Sequence, residues 1–269
     1  MDERPTFGSR TNPWHDEDIL ITVKTYPTPS TKDREVTCVA GVTSQRTWIR
    51  VFPVPFRLLP HAVRFRRYDI VRAPVCKAPD ARVESHRIDP NGIVRVRQVD
   101  TSRQWSERNR LILPLRSPSL EALRDSQASS LGVIRVASLD GLILSPQSDQ
   151  WEPDELVKLN QLRFDDPKLT LLHRPAHRIQ YAFHCDGPDC TGHTMQVFDW
   201  EVVEAYLKYA QQYGPKAWES KFRHRFDTDM RSRDLHFFVG TLAKHPKTWT
   251  IIGLYYPPKV AADAQLRLF

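Results

Sequence analysis

The sequence predicts an α+β fold, with a basic N-terminal β-barrel packed on a C-terminal α/β part that carries a Cys/His knuckle. Three observations predict it. Short apolar runs alternate with Pro-rich and turn-rich links through the first part of the chain, the pattern of a small barrel. The positive excess is confined to one block of residues. Residues 181–201 read as strand, tight turn, strand and helix, with two thiols and an imidazole in the turn.

In chain order, residues 1–17 are expected to form a flexible arm, residues 18–128 the basic barrel, and residues 129–269 the α/β part. Asp18 to Thr25 is a strongly apolar strand. Glu35 to Val42 and Thr47 to Val54 form a hairpin, with Pro53 placing the end of the second strand at a sheet edge or exit. Asp69 to Cys76, Arg82 to Ile88 and Ile93 to Val99 are further strands, the last two joined by the turn Asp89-Pro90-Asn91-Gly92. Helices are predicted over Ser102 to Leu113 and over Ser119 to Gln127, the latter capped by Ser117 or Ser119. In the second part, Leu131 to Val136 and Gly141 to Leu144 are strands, and Asp154 to Leu162 is a helix with Pro153 in its first turn. A helix from Trp200 to about Tyr213 stops at Gly214-Pro215. The next helix carries Trp218, Phe222 and Phe226 on one face, and Leu235 to Thr241 and Thr248 to Tyr255 are apolar strands.

The composition is that of a folded globular protein with net charge +7. No run of eighteen or more apolar residues marks a membrane span, and the polar, acidic start is not a signal peptide. Four cysteines, two of them clustered, fit a reducing compartment, so a cytoplasmic protein without membrane association is expected. Residues 46–124 hold 17 Lys/Arg, 16 of them Arg, against 7 Asp/Glu. Arg forks onto phosphate and stacks on bases, so this block predicts a nucleic-acid surface; a solvated exterior is the plainer alternative. Arg46, Arg50, Arg57, Arg64, Arg66 and Arg67 interleave with Trp48, Phe56 and Tyr68. Cations beside aromatics suit single-stranded or flipped-out nucleotides. DNA is the expected partner and RNA the alternative.

The segment Thr37-Cys38-Val39-Ala40-Gly41-Val42, followed after a short turn by Trp48-Ile49-Arg50, resembles the opening of dual-OB-type domains, over residues 18–75. The resemblance implies a small OB-like nucleic-acid-binding barrel of the kind linked to bacterial anti-phage and mobile-element conflict systems. Here Trp-Ile-Arg runs on into Val51-Phe52-Pro53 where that family has an immediate proline.

The knuckle places Cys185, Cys190 and His193 around Gly187-Pro188-Asp189. Zinc takes such ligands tetrahedrally from short loops, so a structural, zinc-knuckle-like insertion is predicted. His184 is taken as the fourth ligand, with Asp186, His177 and His173 as alternatives. The competing reading is a pair of buried or disulfide-linked cysteines beside an ordinary histidine.

No Gly-rich phosphate loop, serine elbow or nuclease ligand set is present. Carboxylates remain: Asp199, Glu201 and Asp234 could activate water or stabilise an oxocarbenium-like sugar without a metal. Each has a structural alternative, as N-cap, first-turn acid and partner of Arg231 or Arg233 respectively. With the setting in bacterial defence that the resemblance implies, the sequence is read as a DNA-binding protein that excises modified or damaged bases, a metal-free DNA N-glycosylase-type hydrolase. The alternatives are a non-enzymatic sensor subunit and a nuclease with an unfamiliar site.

Overall fold

The structure, a computed structural model, describes residues 13–30, 34–165, 171–242 and 245–259. Most of the expected arm, and the tail beyond residue 259, lie outside them. The first part is β1 (His15–Lys24), β2 (Thr28–Ser30), β3 (Arg34–Thr43), β4 (Trp48–Val54), β5 (Asp69–Lys77), β6 (Ser85–Ile88) and β7 (Val94–Gln98). β1 pairs antiparallel with both β3 and β5, β3 with β4, and β5 with β6, while β4 and β6 run parallel. These pairings close a ring of five strands, β1-β3-β4-β6-β5 and back to β1. This is the OB-like barrel expected from the sequence. β2 and β7 are additions on β3 and β5.

The inside of the barrel is filled by Ile19, Ile21, Val39, Ile49, Val51, Phe65, Val71 and Val75. The other face of β1 and β3 is apolar too: Leu20, Val23, Ala40 and Val42 join a second cluster with Leu131, Val133, Phe238, Ile252 and Tyr255. That two-sided burial explains why β1 and β3 read as continuous apolar runs rather than alternating ones.

α1 (Ser102–Ile112), β8 (Arg116–Ser117) and α2 (Leu120–Ser126) lead to the second part. It contains β9 (Leu131–Pro146), α3 (Pro153–Asp165), β10 (His177–Cys185), β11 (His193–Gln196), α4 (Trp200–Arg223), β12 (His236–Leu242) and β13 (His245–Tyr255). The strand order is β11-β10-β9-β12-β13, and every pairing along it is antiparallel. The α/β part expected from the sequence is thus corrected to a curled, antiparallel sheet. Strands and helices do alternate along the chain, but the helices do not cross over between parallel neighbours. The sheet curls until Val197, just after β11, bridges Ile251 of β13 in parallel, with the Phe198 N–H donating to Ile251 O at 2.8 Å, so that the curled sheet forms a second barrel closed at this one bridge. Its strands follow the order of the first barrel, with α4 inserted between the third and the fourth. The two short strands expected over 131–144 are one, β9, whose register with β10 shifts twice between Val136 and Gly141. Gly214, at φ 63, breaks α4 where a stop was expected, and Pro215 opens the continuation.

A Cβ on Gly41 would stand 2.4 Å from the backbone oxygen of Leu20, so glycine here lets β3 close against β1. Gly41→Ala is expected to lower stability by about 1–3 kcal/mol, the range for overpacking. A urea midpoint equal to that of the wild type would show that the two strands can part at this point.

Candidate functional site

Arg67 immediately precedes Tyr68, whose φ of 66 turns the chain into β5. Its side chain points between the two barrels and is buried. Nε donates to Thr22 O at 3.1 Å, and Nη1 to Asp199 Oδ2 and Glu201 Oε2, each at 3.0 Å. Nη2 donates to the Tyr68 hydroxyl at 3.1 Å and to Leu254 O. Asp199 caps α4: one oxygen accepts from Glu201 N (2.8 Å) and Val202 N (3.3 Å), the other from Leu254 N (2.9 Å). Burial pushes the Asp199 carboxyl up from its ordinary value, against the pull of Arg67. At Arg67 burial opposes the charge, yet Tyr68, Asp199 and Glu201 together hold the guanidinium above its usual range.

Over this ion pair lies an open cavity of about 400 Å³ at the seam of the two barrels. Arg66, Tyr68 and Gln98 line it from the first barrel, Trp105 and Arg108 from α1, and Glu201 and Tyr256 from the second part. The side chain of Glu201 is 55% exposed. A row of two cations and three rings crosses the seam. The Arg225 guanidinium lies 5.3 Å from the Tyr256 ring centre, and Tyr256 is 5.6 Å from Trp105. Arg108 is 4.9 Å from Trp105 and 3.8 Å from Tyr68. Arg103, Gln104 and Trp105, at φ 48, 56 and 65, form one left-handed turn at the start of α1. Lys24 also lines the cavity, with Nζ 4.2 Å from the Phe56 ring; burial lowers its pKa.

Of the residues proposed from sequence to bind nucleic acid, Arg66, Arg67 and Tyr68 line this cavity. Arg46 and Trp48 line a separate cavity beside the β3–β4 turn. Arg50 is buried against Ser130 and Glu84, Arg57 pairs with Glu35 at 3.2 Å, and Arg64 donates to Leu59 O and Arg57 O. Phe56 packs inside the first barrel against Phe65 and Trp200. Of the carboxylates, Asp199 and Glu201 meet at the seam, whereas Asp234 pairs with Arg135 at 2.8 Å. The sequence reading did not pick out Trp105, Arg108, Tyr256 and Arg225. Trp105 and Arg108, three apart in a basic stretch, were the one local signal.

Among the described residues, one group of His, Cys, Asp or Glu has ligand atoms close enough to share an ion: Glu121, Cys185, Cys190 and His193. His184, expected as a ligand, is outside it, with Nδ1 3.2 Å from Asp140 Oδ2. The side chains of β10 alternate between the two faces of the sheet, so His184 points away from the face that carries Cys185. The fourth member of the group comes instead from α2, more than sixty residues earlier. Among the described residues no helix is long and apolar enough to cross a membrane.

The fold and seam define a class: two five-stranded barrels of OB-like strand order, back to back, with a cationic and aromatic cavity between them. The chain belongs to the family described as Domain of unknown function (DUF8757), whose model matches residues 117–269, more than half of its length. A second model, Domain of unknown function (DUF8758), matches residues 15–114. No curated protein matches the chain. Among solved structures it is similar to a murine DNA-binding protein bound with double-stranded DNA, at 9% identity and TM-score 0.31, covering 91% of this chain and 96% of that one. It is also similar to a chain of a replication protein A heterotrimer bound to single-stranded DNA, at 10% identity and TM-score 0.35; the match covers 98% of this chain and 54% of that one. Likeness of this size identifies neither a shared ligand nor a shared site.

Arg67→Ala leaves Asp199 buried without its partner and should cost roughly 3–5 kcal/mol of stability. Arg72→Ala, which opens an exposed pair with Asp18, should leave the urea midpoint in place. Equal losses in the two variants would contradict the central role given to Arg67. Gln104→Gly, which relieves one left-handed residue, should gain about 1 kcal/mol in the same melts.

Proposed function

We propose that the protein binds unpaired nucleic acid, DNA foremost, at the seam between its barrels. The observation that carries this reading is the row Arg225–Tyr256–Trp105–Arg108–Tyr68, with the exposed Arg66 at its edge. Every base has a π-face, so the half-buried rings of Trp105 and Tyr256 can stack on it whatever the sequence, while Arg66 and Arg225 meet the phosphates and the buried Arg108 and Tyr68 support Trp105 from behind. An open cavity of about 400 Å³ is in the range of small-ligand pockets and so has room for an unstacked nucleotide. Duplex DNA, with its bases stacked inside, offers this row only its backbone. The Cys/His knuckle plays a structural part in this reading, since none of its residues lines the seam. A setting in bacterial defence rests on the sequence resemblance alone.

A second reading is favoured by Glu201. It is the carboxylate of the cavity with an open face, held 3.0 Å from Arg67 and more than half exposed. If a base enters between the rings, this acid is the one placed to activate water for base excision. Asp199, with its oxygens committed to Arg67 and three backbone donors, serves that chemistry by fixing Arg67.

Anisotropy titrations with labelled single-stranded DNA, single-stranded RNA and duplex DNA at low ionic strength test the binding. Single strands should bind, with an affinity that falls as salt rises. Trp105→Ala should weaken it by about 1–3 kcal/mol, the usual value of one stacked base. Arg66→Ala should flatten the log–log salt slope by about 0.7, the share of one phosphate contact. Failure of every nucleic acid to bind would end the proposal. Alkali-labile sites in DNA carrying modified bases, lost in Glu201→Gln, would establish excision; binding with intact DNA would leave a reader of single strands.

A further inference from the structure

We infer that Glu121, Cys185, Cys190 and His193 hold one zinc ion in a closed tetrahedral site that fastens α2 to the second barrel. The inference is independent of nucleic-acid binding. His193 Nε2 lies 3.1 Å from Glu121 Oε1, 3.5 Å from Cys185 Sγ and 3.3 Å from Cys190 Sγ. Cys185 Sγ lies 3.3 Å from Glu121 Oε2. One ring N–H points in one direction and cannot serve three partners; three donors gathered round one nitrogen are explained by an ion they share. With zinc–sulfur bonds of about 2.3 Å and zinc–nitrogen bonds of about 2.0–2.1 Å, tetrahedral angles give N···S edges of about 3.5 Å, and the two observed edges agree. Glu121 meets His193 through one oxygen and Cys185 through the other, and the ligand atoms of the four residues all lie within 4.8 Å of one another.

Backbone donors converge on the two sulfurs. The Cys185 N–H donates to Cys190 Sγ at 3.2 Å, and the backbone N–H groups of Leu120 and Gly187 are directed at Cys185. Both cysteines are free of disulfide. The knuckle is pressed against α2: a Cβ on Gly187 would stand 2.6 Å from Cβ of Ser119, the residue whose hydroxyl caps that helix. Gly192, at φ 97, turns the chain so that His193 faces back toward the thiols. Two thiolates and an imidazole select zinc over magnesium or calcium, and four protein donors leave no open position, so the site is structural. All four ligands fall within the matched segment 117–269.

The test is the metal content of the full chain purified from zinc-supplemented medium, followed by exchange for cobalt. One zinc per chain is expected, and the cobalt form should show four-coordinate d–d bands with a thiolate charge-transfer band. Glu121→Ala should lower zinc affinity at least about tenfold in competition with a chromophoric chelator and shift the cobalt bands. Glu121→His, which offers a new donor, should recover part of that loss, and circular dichroism should show the same fold in both variants. Wild-type protein that takes up neither metal, or that holds a Cys185–Cys190 disulfide, overturns the inference. Unchanged affinity and unchanged cobalt bands in Glu121→Ala remove Glu121 from the site and overturn the clamp.

Discussion

A guanidinium taken wholly out of water survives only where its donors are met, and Arg67 meets five acceptors from both halves of the chain. Thr22 and Tyr68 belong to the first barrel; Asp199, Glu201 and Leu254 belong to the second. The three contacts that cross to the second barrel tolerate no large shift of one barrel on the other, because a buried charge with a lost partner is worth several kcal/mol. The same carboxylate that holds Arg67 starts α4 and ties down the end of β13 through Leu254 N. The position of the cavity above it follows from this one ion pair.

Around that polar centre the barrels are joined by apolar packing. β1 and β3 place one face in their own barrel and the other against β9, β12 and β13. Burying both faces leaves no open sheet on β1 and β3, so that side of the first barrel is closed to ligands. The seam cavity is composite: the first barrel and α1 supply its cations with Tyr68 and Trp105, and the second part adds Tyr256 and the carboxylate of Glu201.

The first barrel was legible because its signals are local. Apolar runs bounded by turns gave its strands, and their positions agree with the structure to within a few residues. In the second part the strands were equally legible, but their partners were not. β9 and β12 pair over a separation of about a hundred residues, and a helix lying between two strands does not reveal whether they run parallel or antiparallel. The site divides in the same way. Cys185, Cys190 and His193 are close in sequence and were found together. Glu121 was not, since a lone glutamate in the first turn of a short helix already has an ordinary explanation in the helix dipole. Charge was the most misleading signal. Arg50, Arg57, Arg72, Arg82, Arg95 and Arg97 have carboxylate partners, so a count of arginines overstates the cations left for a polyanion.

The left-handed turn at Arg103–Trp105 shows what the seam contributes beyond those cations. For residues with a Cβ such a turn costs roughly 1–2 kcal/mol each, so it persists only where its surroundings hold it. Trp105 is held: its ring lies 5.5 Å from Tyr255 and 5.6 Å from Tyr256, beneath the guanidinium of Arg108. Arg108 is fixed in turn by two hydrogen bonds to Val99 O, at 2.9 and 2.8 Å. The rings and cations that face the cavity are therefore ordered by contacts within the protein. A ligand that stacks on them loses its own freedom but does not have to order theirs, and this preorganisation favours binding in a cavity that is otherwise open to water.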